Sequence, residues 1–341
     1  MQAGIPQTVQ LQVVDDCGTA VSAQGGGNVQ VSFGNLDGAL PLRDTGNGIW
    51  EGTWTPVKTG GPVTLQVLAA QGGVTSASSA SGIAVTVLAA GAAGPAQISG
   101  VVNAASGGQV TPQIVTPGSY VAIYGSGLAG SGVASARAIP LPTVLNDTQL
   151  FLGDQKLPLL YAGPGQVNAL VPWNLNANTA YQLVVQRGST RSVGVPLTVA
   201  ALQPAIYSAD LSGSGQGVVS IAGTSVLAAP ASAVGRPAVR GSDFLVVYCT
   251  GLGPVVGANG EAGPSDGTGA PLSVVYRTQN VVTATLDGVD APVVFSGLTP
   301  SLVGLYQVNV QVPAGISAGS AVALSIRVGK AISNAVSVAI Q

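Results

Sequence analysis

Apolar and polar residues alternate along most of this chain. Val9, Leu11 and Val13 alternate with Thr8, Gln10 and Gln12. Val29, Val31 and Phe33 alternate with Gln30 and Ser32, and Val63, Leu65 and Val67 with Thr64 and Gln66. Near the C-terminus, Val322, Leu324 and Ile326 alternate with Ala323, Ser325 and Arg327, followed by Val336, Val338 and Ile340. A period of two sends successive side chains to opposite faces, so each segment predicts a half-buried strand of an antiparallel sheet. Gly and Pro interrupt these runs every ~8–12 residues, the rhythm of β-sandwiches. No amphipathic helix of ordinary length is readable. The expected fold class is all-β: tandem immunoglobulin-like β-sandwiches in three domains.

The small-residue stretch Ala89 to Ala96 marks the first boundary, so the first sandwich is expected within residues 1–90. Beyond it the chain repeats itself. GSYVAIYGSGL (Gly118 to Leu128) returns as GSDFLVVYCTGLG (Gly241 to Gly253), with Tyr124, Gly127 and Leu128 matching Tyr248, Gly251 and Leu252. Pro158-Leu159-Leu160-Tyr161 matches Pro292-Val293-Val294-Phe295. Gln166-Val167-Asn168 with Val171-Pro172 matches Gln307-Val308-Asn309 with Val312-Pro313. Gly153-Asp154 and Asp287-Gly288 mark equivalent hairpins, where a positive φ is required. Residues 97–200 and 201–341 therefore read as two versions of one domain.

These motifs, taken in order from PGSYVAIYGSGLA through LPLLYAGPGQVNALVPW to APVVFSGLTPSLVGLYQVNVQVPAG, resemble a known family. Over about residues 97–341 the chain is similar to the uncharacterised C-terminal module of large secreted proteins of acidobacteria. Each half resembles an IPT/TIG-type immunoglobulin-like domain, and the N-terminal segment resembles the bacterial Ig-like modules that often precede it. The resemblance implies export and Ig-like sandwiches. It supplies no catalytic residue and no cofactor.

Composition narrows the chemistry. The chain of 341 residues has 7% charged residues, against about 25% in ordinary soluble domains. No charge occurs between Lys58 and Arg137, and the formal net charge is -2. Such a surface offers no basic footprint for nucleic acid and little repulsion between copies. Histidine is absent, which removes the commonest general base and metal ligand and makes a Ser-His-Asp triad impossible. The longest apolar stretch, Ile83 to Ala93, is shorter than the ~20 residues of a spanning helix and reads as a strand, so no membrane insertion is expected. The start, MQAGIPQTVQ, lacks the basic and apolar regions of a signal peptide.

The residues left for chemistry are few. Trp50 and Trp54 share one strand face and are expected to pack in a core, a sugar platform being the competing reading. Trp173, in VPWNLNAN, is a candidate ligand contact; packing between domains is its alternative. Asp15-Asp16 and Asp287/Asp290 read as turn residues rather than a catalytic pair, and no metal site is expected. Cys17 and Cys249 leave three readings open: a bond between the first and third domains, a bond between copies, or two unpaired thiols. Asn146-Asp147-Thr148 is an N-glycosylation sequon, and Val74 to Gly82 (VTSASSASG) reads as a flexible loop.

The expectation is a non-catalytic, extracellular structural protein whose partners are copies of itself, associating through sandwich ends or strand edges. The MQAGIPQ extension or the last strand, Ala335 to Gln341, would serve as connector. The alternative is an adhesin or carbohydrate-binding module that tethers a larger secreted protein to polysaccharide.

Overall fold

A computed structural model describes residues 6–58, 60–71, 74–79, 85–87, 96–108, 113–188, 190–232 and 234–341. The described residues are all-β, with no helix. Three separate clusters of buried apolar side chains run from Val9 to Leu65, from Ala96 to Val199 and from Ile206 to Ile340. The alternating pattern accounts for them. In strand Asn28–Phe33, Val29, Val31 and Phe33 are buried while Asn28, Gln30 and Ser32 are exposed.

In the first sandwich, six strands pair in the order Gln7–Gln12, Ile49–Trp54, Leu40–Gly46, Asn28–Phe33, Leu65–Gln71 and Val74–Ser79. Trp50 and Trp54 are buried on one face of their strand, as the two-residue spacing requires. Trp50 Nε1 donates to the Val21 carbonyl at 2.9 Å, and Trp54 stacks on Phe33 with ring centroids 4.0 Å apart. Both are core residues. Val74–Ser79, expected as part of a loop, is a strand that continues the sheet beside Leu65–Gln71. The first five residues and most of Ile83 to Ala93 lie outside the described residues.

The two halves of residues 97–341 share several structural details. The central strands Tyr120–Ser126 and Phe244–Thr250 each pair antiparallel with Gln166–Leu170 and Tyr306–Gln311 respectively. The register slips at Leu160 in the first copy and at the matching Val294 in the second, so one β-bulge recurs. Gln166 Nε2 donates to Asn168 Oδ1, and Gln307 Nε2 to Asn309 Oδ1. The backbone N–H groups of Val185 and Ile326 donate at 3.0 Å to the hydroxyls of Ser192 and Ser333. Each copy buries apolar side chains between two sheets: Ile123 and Val167 against Leu150 and Leu183 in the first, Val247 and Val308 against Leu286 and Leu324 in the second.

The copies differ where the chain opens. Strand Gln97–Asn103 runs as one strand beside its neighbour in the first, with a single register slip at Ser99. In the second its place is taken by Ala205–Ile206 and Val219–Ile221, with an insertion between them. Asn334, buried, ties this insertion down: its Oδ1 accepts from Ile206 N, and its Nδ2 donates to the carbonyls of Ile206 and Gly213.

Candidate functional site

A large concave feature lies where the two repeats meet. Tyr120, Leu141 and Leu170 of the first repeat and Val303 of the second form a small apolar cluster of their own. Hydrogen bonds cross the junction. Leu141 N donates to the Gly267 carbonyl at 2.8 Å, and Trp173 N donates to Asp266 Oδ1 at 2.7 Å. Trp173 packs against the buried cluster of the second repeat, its ring 6.3 Å from that of Tyr306. The insertion leans on the first repeat: a side chain on Gly213 would collide with the Ser106 carbonyl, and one on Gly107 with that of Ser212.

Beside this seam opens a cleft of about 740 Å³. Its walls come from Ala104, Tyr120 and Leu160 of the first repeat and from Tyr207, Leu302 and Leu305 of the second. A shallower apolar hollow bounded by Tyr207, Val218 and Tyr248 continues it over the second repeat's sheet. Few polar groups face the cleft: Arg137, Asn168 and the tyrosine hydroxyls. Burial pushes the Tyr120 and Tyr207 phenols well above their ordinary value, because a phenolate loses its hydration there. Both are neutral hydrogen-bond donors at physiological pH.

The residues singled out from sequence are dispersed. Trp173 is half-buried and packs against the second repeat's core, the interdomain contact that is the alternative to a ligand role. Cys249 is fully buried in the second repeat, Cys17 is exposed in the turn after the first strand, and both are free thiols. A disulfide in either arrangement requires Cys249 to leave its core. Asp15, Asp16 and Cys17 bring their ligand atoms within 4.8 Å of one another instead of diverging. Asp15 Oδ1, however, is already accepting from the N–H groups of Cys17 and Thr19 and so shapes the turn. Asp287 and Asp290 are exposed around their hairpin.

Asn146 uses its amide internally, Nδ2 donating to the carbonyls of Gly130 and Gly132 at 3.2 Å, so a glycan there would cost those bonds. The last strand, Val336–Ile340, is bonded to Gly319–Val328 on one side. Its other side meets the chain at Gln216 and Ala238 through parallel bridges. It is therefore not an open connector.

Carboxylates with displaced ionisation serve the fold. Burial raises Asp37, but hydrogen bonds from Asn35, Val57 N, Lys58 N and Trp54 Nε1 outweigh it and hold the group below the ordinary range. Burial likewise acts on Asp243, and its bond to Arg236 at 2.8 Å outweighs it. Neither faces the cleft. Sequence reasoning passed over Tyr120, Tyr207 and Arg137. The one signal for Tyr207 was the insertion that separates the second copy's Ile206 from Val218 when the repeats are aligned.

No protein-family model matches the chain, and no curated protein matches it. Among solved structures, the Bacteroides ovatus mixed-linkage glucan utilization protein SGBP-B, in complex with a mixed-linkage heptasaccharide, is 10% identical with a TM-score of 0.30. The overlap covers 98% of this chain and 64% of that one. Domains 4–9 of the surface layer protein SbsC are 14% identical with a TM-score of 0.20, covering 96% and 41%. A run of titin domains is 9% identical with a TM-score of 0.16, covering 100% and 95%. The chain thus spans less than two thirds of the length of the first of these. Overlaps this loose carry no argument about function. No helix among the described residues is long and apolar enough to cross a membrane.

Proposed function

We propose that this chain is a non-catalytic structural protein of the cell exterior that associates with copies of itself through an open strand edge of its first sandwich. One observation carries the reading. Among the described residues, strand Gln7–Gln12 pairs only with Ile49–Trp54, over six residues with no register slip, no charge and no proline. Edges are normally guarded by lysine, proline or a bulge, since their free N–H and C=O groups template another strand. Here Thr8 and Gln10 project into solvent without charge, and the net charge of -2 offers little repulsion between copies. The apolar cluster and hydrogen bonds at the seam between the repeats favour a structural role. The resemblance of residues 97–341 to a secreted module supports placing the protein outside the cell. An adhesin or polysaccharide-binding role would have to use residues other than Trp50, Trp54 and Trp173, which are committed to packing. Electron microscopy of concentrated protein tests the proposal: ordered assemblies are expected for wild type and isolated particles for Gln10→Lys. Isolated particles of wild type contradict it.

A further inference from the structure

Tyr120 is only 8% exposed, yet its hydroxyl has no hydrogen-bond partner in the protein. Tyr207, across the cleft from it, also lacks one, and the two phenols are close enough for a charge on one to oppose ionisation of the other. Neither phenol oxygen is sealed from solvent, so each is free to bond a water or a ligand atom that takes the water's place. At the rim, Arg137 is exposed, makes no ion pair and no side-chain hydrogen bond, and is the single charged residue lining the cleft. The walls are otherwise apolar, and Leu302, Ile139 and Leu211 stay 46%, 56% and 62% exposed. A cleft of about 740 Å³ at a domain seam, apolar with a few convergent donors, has the build of a small-molecule site.

Among the described lining residues the one charge, on Arg137, is positive, and the two phenols can each donate a hydrogen bond. That combination disfavours cations and suits an apolar molecule carrying acceptor oxygens and negative charge. We propose that the inter-repeat cleft binds a carboxylate-bearing amphiphile, its apolar body lying on Leu160, Val303 and Leu305 and its oxygens accepting from Tyr120, Tyr207 or Arg137. The site is independent of strand-edge assembly, because the edge belongs to the first sandwich.

Calorimetric titration of the full chain with dodecanoate, below its micelle concentration, tests this. One molecule per chain is expected. Dodecyltrimethylammonium, of equal length and opposite charge, is expected to bind at least about tenfold more weakly. The double variant Tyr120→Phe/Tyr207→Phe removes two oxygens and no carbon surface, and is expected to weaken dodecanoate by about tenfold. Arg137→Gln is expected to narrow the difference between the two amphiphiles. Ala138→Trp, at an exposed position on the cleft wall, is expected to block binding while thermal unfolding stays unchanged. No binding of dodecanoate, equal binding of the cation, or binding indifferent to Ala138→Trp overturns the proposal. Gln10→Lys leaves the cleft intact, so a failure here and a failure of self-association are read separately.

Discussion

The backbone N–H of Trp173, in the turn that follows strand Gln166–Leu170, donates to Oδ1 of Asp266 in the next repeat at 2.7 Å. The same tryptophan lays its ring against the second repeat's core. One residue thus supplies both the polar and the apolar half of the joint. Trp173→Ala is expected to lower stability by about 3 kcal/mol, through lost packing and the cavity left behind. Asp266→Ala is expected to cost about 1.5–3 kcal/mol, the range of a hydrogen bond to a charged acceptor. Urea unfolding followed by fluorescence reads both. If the seam couples the repeats, Trp173→Ala also broadens or splits their common transition.

Gly118 faces that ring from the other side. It has a φ of 74°, and a Cβ built on it would lie 2.2 Å from Trp173. Gly118→Ala therefore carries a left-handed backbone penalty of about 1–2 kcal/mol and a collision as well. The collision disappears when the tryptophan is removed. A double-mutant cycle with Trp173→Ala is expected to show a coupling energy of at least about 1 kcal/mol; additive losses would refute the contact.

Much of this architecture was readable from alternation alone, because the pleat is local: Val29, Val31 and Phe33 go inward whatever the rest of the chain does. The repeat was readable for the same reason, and matching motifs sit on matching strands down to the shared bulge at Leu160 and Val294. What could not be read is the pairing of loops across a seam. Asp266 lies far from Trp173 in the sequence, and nothing local marks it as a partner. Nothing around Tyr207 in the sequence marks it as lining a cleft. The last strand looked open because its second neighbour, Ala238, lies in an irregular segment. Cys17 and Cys249 left three readings open because burial, which separates them here, depends on the folded sandwich.

That burial makes the thiols distinguishable. Cys249 is fully enclosed, and burial raises its thiol well above the ordinary value, so neither access nor ionisation favours reaction. With a disulfide reagent at neutral pH, one thiol per native chain is expected to react promptly, and Cys17→Ser to abolish that reaction. The second thiol appears only in denaturant. Two prompt thiols would contradict the placement.

Asp37 gives the first sandwich a pH dependence of known sign. Its native carboxyl is held below the ordinary 3.8 by four hydrogen bonds to the charged form. The unfolded chain therefore takes up the proton first as pH falls. The stabilisation is fully present well above pH 3.8 and is lost as pH drops through the lowered native value. Asp37→Asn is expected to unfold more easily than wild type at pH 7, with the gap closing below that range. Thermal melts across pH 2–7 check this, and a gap that grows toward acid would reverse the assignment.

Sedimentation velocity over a hundredfold range of concentration bears most directly on the account as a whole. Wild type is expected to shift steadily to faster boundaries as copies pair along Gln7–Gln12. Thr8→Lys/Gln10→Lys, altered only at exposed positions of that strand, is expected to hold a single monomer boundary with unchanged thermal stability. A wild type that remains monomeric throughout, or a double variant that associates as strongly, would contradict edge-mediated assembly.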